Sequence, residues 1–181
     1  MKVQRHRSPK DFPRRCNANG QPLCRFCGQI VTPPRQTFCS NACVNAYLAA
    51  TSASHLRAQV SRRDKGVCAL CRCDTAKVKR VLDYLAHGFR LGFNGPVLTP
   101  PDTEAHAFVR SHLGIPESRI GRELWDADHI VPVCEGGESR LSNMRTLCLS
   151  CHRQVTYQLT LRRVQRRNED ASGRNLQHQI G

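Results

Sequence analysis

Acidic residues are missing where basic ones gather. None occurs between Phe12 and Arg63, and none between Ser139 and Asn168, a stretch with seven arginines. A solvated charged face ordinarily mixes signs, so these one-signed stretches point instead to a polyanionic partner, nucleic acid first. No apolar run approaches the ~18 residues that span a bilayer, so no membrane partner is expected. The basic N-terminus leads into no hydrophobic stretch, which argues against a secretory signal. The expected location is therefore intracellular: cytoplasm or nucleoid, or the nucleus in a eukaryote. Aromatic residues number only ten and are scattered, so no RNA-stacking platform is read. The 181 residues leave room for one domain or two small ones, not for a large barrel with a second domain. What is abundant is arginine, 23 of the 28 basic residues against 14 acids, giving +14. Arginine suits forked phosphate contacts better than lysine does. Eleven cysteines in an intracellular chain read first as metal ligands.

Residues 1–22 are basic, rich in proline and without apolar period, and read as a disordered arm. A zinc finger is expected over 23–51 and a larger domain over 52–167, with a disordered polar tail at 168–181. Within the larger domain, helices are expected over 53–64 (stopped by Gly66), 75–88, about 103–113 and 149–167. The segment from Leu91 to Pro101 reads as a loop, Trp125–Val133 as a strand, and Gly136-Gly137 as the turn after it.

Cys24, Cys27, Cys39 and Cys43 have the spacing C-x2-C-x11-C-x3-C. A CxxC turn aims two sulfurs to one side, and Ser40 is a good N-cap for a helix carrying the second pair. Four thiolates leave no open position, which makes this a structural zinc site. Cys68 and Cys71 form half of a second site, and Cys148 and Cys151, 76 residues further on, form the other half. Closing so long a loop costs entropy, but that cost grows slowly with length, and structural zinc binding at ~10 kcal/mol or more offsets it. Cys16 reads as a free thiol, and Cys134 as a buried thiol outside both sites, with an accessory role in catalysis as its alternative. Cys73 is an alternative ligand to Cys71.

Between the two halves of the second site lies TrpAspAlaAspHisIleValProVal, then GlyGly, then LeuSerAsnMetArgThrLeu running into CysLeuSerCysHis. This string resembles the HNH endonuclease family: Asp128-His129, thirteen residues, Asn143, eight residues, His152. The resemblance covers about 66–165. The preceding finger resembles a treble clef, and the finger and HNH unit together are similar to the C-terminal part of a eukaryotic annealing helicase that carries a nuclease. The resemblance implies a small zinc-stabilised α+β protein of ββα-metal type. It implies a catalytic set of His129 as general base, Asp128 and His152 as ligands of one divalent ion (Mg2+ or Mn2+), and Asn143 orienting the hairpin. The implied products are 5′-phosphate and 3′-hydroxyl ends. A near-neutral imidazole suits the base role, and a carboxylate with an imidazole suits a hard divalent ion. Trp125 reads as a core anchor, with stacking on a base as the lesser alternative, and Asp126 as an exposed residue, with a second carboxylate near the metal as its alternative. The long stretch 74–124 departs from the common family pattern, so a borrowed substrate preference does not extend to it.

DNA contacts are expected from Arg153, Arg162, Arg163, Arg166 and Arg167 on the last helix, extended by Arg57, Arg62 and Arg63. The expected partner is duplex or branched DNA, with a larger DNA-processing machine as a further candidate. The rival reading is a zinc-dependent DNA-binding module without catalysis. It keeps the basic surface and eight cysteines but gives Asp128 and His129 no use.

Overall fold

The structure is a computed structural model that describes residues 7–91 and 95–177, without the side chains of residues 90 and 171–177. Order begins earlier than the sequence suggests. A capped 3-10 turn at Pro9–Asp11 leads to Phe12, which is buried against Phe26 and Tyr47. Arg25 fixes this arm by donating from Nε to the Phe12 carbonyl at 2.7 Å. One aromatic anchor thus overrides the polar composition around it. Residues 1–6 of the expected arm lie outside the described residues.

Strands β1 (Arg15–Cys16) and β2 (Pro22–Leu23) pair antiparallel. Helix α1 (Asn41–Thr51) is capped by Ser40, whose hydroxyl accepts from the Cys43 amide. Helix α2 (Ala53–Asp64) is capped by Ser52 and buries Leu56 and Val60 one turn apart. It ends at Lys65, which adopts the left-handed conformation (φ 52°) one residue before the expected glycine. Helix α3 (Thr75–His87) is capped by Asp74. The expected loop after it instead contains a hairpin of β3 (Phe89–Arg90) and β4 (Val97–Thr99). Helix α4 (Thr103–His112) is capped by Asp102.

Strands β5 (Trp125–His129) and β6 (Met144–Cys148) form the last two-stranded sheet. The strand expected to reach Val133 stops at His129. Pro132 has no N–H to donate and opens a 3-10 turn at Val133–Glu135. Helix α5 runs over Leu149–Gln177, ten residues past its expected end at 167. Part of the expected disordered tail is therefore helical, and a Gln165–Glu169 side-chain bond at 3.0 Å supports that extension. Residues 178–181 lie outside the described residues. Among the described residues no helix is long and apolar enough to cross a membrane.

The chain groups into two compact units, 1–66 with 127–146 and 67–126 with 147–181. Helix α2, read from sequence as part of the nuclease region, packs on α1 in the first unit. Its end braces β6 and the turn before it. Asp64 accepts from the Thr146 amide (3.1 Å) and hydroxyl (2.9 Å), and Arg63 donates to the carbonyls of Leu141 and Met144. The second unit holds two apolar clusters. One is Cys68, Leu147 and Cys151; the other is Leu82, Leu124 and Leu149. Trp125 is buried as expected, with its indole N–H on Glu123.

Candidate active site and metal clusters

Both predicted cysteine sets converge. In each, all four sulfurs lie within 4.8 Å of one another. Neighbouring sulfurs sit at 3.5 Å (Cys27–Cys39 and Cys39–Cys43) and 3.6 Å (Cys71–Cys148). Zn–S bonds of about 2.3 Å in a tetrahedron require S···S separations of this order, so both sets could hold zinc. In each set one thiol is primed to ionise. Burial alone would raise Cys24, but backbone N–H groups of Cys27, Cys39 and Phe26 aimed at its sulfur outweigh burial and bring it to about 6. The same contest at Cys68, won by the Cys148, Cys71 and Leu70 amides, also ends at about 6. Cys73 is absent from the second cluster, which makes Cys71 the fourth sulfur. Cys16 is exposed, and Cys134 is half-buried rather than fully enclosed.

In the first unit, the loop after His129 is tied by one side chain. Asn143 is buried, and its Oδ1 accepts from the Val131 amide at 2.9 Å. Its Nδ2 donates to the carbonyls of Val131 (3.0 Å) and Glu138 (2.9 Å). The Asn143 carbonyl also accepts from the Ile130 amide. Gly137 makes this closure possible, because a Cβ there would overlap the Val131 carbonyl and crowd Asn143 Nδ2. His129 is half-buried, with Nε2 3.2 Å from the Ser139 hydroxyl. Asp128 receives Arg145 on Oδ2, from Nε at 3.0 Å and Nη2 at 2.9 Å.

In the second unit, His152 Nδ1 lies 3.1 Å from Asp126 Oδ2, and Arg119 Nη2 reaches both oxygens of that carboxylate at 2.7 and 2.8 Å. Asp126 is thus not the exposed residue expected from sequence. Burial would raise its pKa, but the Arg119 hydrogen bond and charge outweigh burial and hold it below the ordinary range. An anionic Asp126 favours the proton on Nδ1 of His152 and leaves the lone pair on Nε2.

These contacts test whether the implied divalent ion suits the residues present. Asp128 Oδ1 carries no hydrogen bond among the described residues, and Nε2 of His152 is the nitrogen turned from Asp126. Taken singly, a carboxylate oxygen and an imidazole nitrogen are each donors that Mg2+ or Mn2+ accepts. Among the described residues, the groups of three or more ligand atoms close enough to share an ion are the two cysteine sets.

The basic residues divide by task. Arg63 was expected on a DNA track; its nitrogens are instead spent on Asp64, Leu141 and Met144. Arg153 donates to the Gly114 carbonyl at 2.8 Å. Arg62 is exposed and Arg57 half-buried on α2. Arg162, Arg163, Arg166 and Arg167 are all exposed on α5. At about 100° per residue they fall within about 80° of the direction of His152, and Arg163 within about 20°. Tyr157, Leu161 and Val164, also exposed, lie on the opposite face.

For Asp126 the sequence offered both exposure and a place near the metal; in a strand it shares a face with Asp128, two residues on. Sequence reading missed Arg119, Arg145, Asp64 and Ser139, which are brought in by tertiary folding.

Comparison with known proteins agrees with the motif. Residues 114–158 match the family described as HNH endonuclease. The chain is 29% identical over 168 residues to "DNA annealing helicase and endonuclease ZRANB3" of Mus musculus, covering 86% of this chain and 15% of that protein. The Homo sapiens protein of the same name is 26% identical over 178 residues, covering 92% and 16%. The chain therefore spans about 15% of the length of these curated relatives. The crystal structure of the human ZRANB3 HNH domain aligns with a TM-score of 0.46 at 26% identity, covering 64% of this chain and 96% of that one.

Proposed function

We propose that this chain, which carries an HNH segment at 114–158, is a metal-dependent endonuclease that hydrolyses phosphodiester bonds in DNA. The observation that carries the reading is the Asn143 lock. One buried amide makes three hydrogen bonds that set the path of the chain just after His129. A rigid, preset loop is what a positioned general base requires.

His129 takes a proton from the attacking water at a ring nitrogen, and the Ser139 hydroxyl limits how the ring turns. Asp128 and His152 are the residues that would hold the divalent ion. Such an ion, when bound, stabilises charge on the phosphoryl oxygens and helps the leaving oxygen depart. Asp126 holds His152 in one tautomer, and Arg119 holds Asp126. Arg145 orients Asp128 through its Oδ2. The arginine face of α5 and the exposed Arg62 supply sequence-independent attraction to phosphates. The products carry 5′-phosphate and 3′-hydroxyl ends, and the two cysteine sets hold structural zinc.

One observation favours the rival reading of a non-catalytic DNA-binding module: Asp128 already has an arginine partner at 2.9 Å. Supercoiled plasmid with Mg2+ or Mn2+ separates the two. Nicking by the wild type, absent in His129→Ala with DNA binding retained, supports the enzyme. Equal behaviour of the two proteins refutes the role of His129.

A further inference from the structure

Arg110 on α4 has two buried guanidinium nitrogens, Nε and Nη1, with no hydrogen-bond partner. Its Nη2 reaches Glu117 only at 3.5 Å, and the Glu117 side chain is 86% exposed. Burying a guanidinium edge without acceptors is unfavourable, so such a group persists where something else satisfies it. The recess it lines has mostly apolar walls (Leu82, Ile115, Ile120, Leu124), with basic side chains set among them. Lys79, His106, Arg119 and Arg122 share its wall with Arg110, against one carboxylate, Asp83. Asp83 is already neutralised by Lys79 at 2.7 Å. Arg122 at the rim is exposed and makes no ion pair among the described residues.

We propose that this recess is an anion site that takes a phosphate group of a nucleic-acid strand, either an internal phosphodiester or a terminal phosphate. An entering oxyanion replaces the long Glu117 contact at Nη2 of Arg110, and a turn of that side chain brings Nε or Nη1 to it, while Arg122 closes over it. Charge-assisted bonds of this kind are the strong ones. The recess adjoins the reaction machinery through a shared residue. Arg119 lines it and also grips Asp126, which grips His152. A phosphate held there is a neighbour of the strand being cut. The residues come from 79–124, the stretch in which the chain departs from the common HNH pattern, so they would contribute a substrate preference of its own. That an oxyanion binds rests on the recess; that it belongs to DNA rests on the function proposed above.

The test uses the zinc-loaded full chain, with inorganic phosphate and short fluorescent duplexes with and without a 5′-phosphate. Inorganic phosphate should shift one arginine Nε resonance that Arg110→Met lacks. It should raise the wild-type Tm by about 3–6 °C at ten times its Kd and leave that of Arg110→Met unmoved. In phosphate-free buffer Arg110→Met should be no less stable than wild type, because it removes unsatisfied donors. Its affinity for DNA should fall about three- to tenfold and its salt slope by about 1. A larger loss on the 5′-phosphorylated duplex identifies a terminal phosphate; an equal loss identifies an internal one. Should Arg110→Met fail to fold, Arg122→Gln carries the same DNA measurements from the exposed rim. Unmoved resonances and Tm, or wild-type affinity and slope in both variants, would overturn the proposal. Phosphate binding without any DNA binding by the wild type would keep the anion site and refute its nucleic-acid source.

Discussion

Replacing Asn143 by aspartate changes one heavy atom of the site and little of its shape. Oδ1 still accepts from the Val131 amide at 2.9 Å. The other atom, formerly a donor to the Val131 and Glu138 carbonyls at 3.0 and 2.9 Å, becomes an acceptor facing two acceptors. Each orphaned carbonyl costs about 1–3 kcal/mol in a buried setting, and Asn143 is only 8% exposed. The closed loop is then destabilised by about 3–5 kcal/mol once the buried charge is included. At about 1.4 kcal/mol per tenfold, its population falls by a factor of about 10² or more. Nicking should fall by a similar factor, and the Val131 amide should exchange faster while α5 amides keep their protection. Asn143→Ala loses all three bonds but opens space through which water reaches the carbonyls, so it should be the milder variant. Plasmid nicking and amide exchange read out both. Unchanged Val131 exchange in Asn143→Asp, or an alanine variant slower than the aspartate one, would refute this account.

Asp64 should make stability depend on pH. The Arg63 hydrogen bond, against the opposing effect of burial, holds its folded pKa below the ordinary value. A depressed carboxylate contributes stability above its unfolded pKa of about 3.9 and loses it as pH falls through the folded value. Wild type should therefore exceed Asp64→Asn by about 1–3 kcal/mol at neutral pH, with the gap closing below about pH 4 in urea titrations; a gap independent of pH counts against the assignment. Metal analysis should find about two zinc per chain, and chelation should abolish cooperative unfolding; none bound would sink both cysteine sites. Log affinity for DNA against log salt should fall with a slope of about −5, and alanine at Arg162, Arg163, Arg166 and Arg167 together should reduce it by about 3–4. An unchanged slope would exclude that face of α5. Ser139→Ala should slow nicking about fivefold through loss of one hydrogen bond to His129, and a wild-type rate would remove Ser139 from the site.

What could be read from sequence was what is written in spacing and period. The two cysteine sets are carried by fixed offsets and by a capping serine, and α2 and α3 by apolar residues at helical spacing. Local signals also misled. Phe12 sits in a polar, proline-rich arm, and only its contacts with Phe26 and Tyr47 reveal that the arm is ordered. Arg63 looked like one more unit of positive charge, yet its partners are backbone carbonyls 78 and 81 residues away. Nothing local encodes such a pairing. Arg119–Asp126 and Arg145–Asp128 were hidden for the same reason. A carboxylate's partner is chosen by the fold, and a basic chain offers many arginines to choose from.

Helix α5 also measures length. It starts three residues before His152 and presents its arginine cluster ten to fifteen residues after it, on the same side. At 1.5 Å per residue the cluster begins about 15 Å from the histidine and ends about 22 Å from it. Along a duplex rising 3.4 Å per base pair, that interval is about four to seven pairs. On the proposed function, a cut placed nearer than this to the end of a duplex leaves the far arginines with nothing to grip. The helix would then act as a ruler that disfavours short ends, and the distance from cut to terminus would become a property that one rigid element sets.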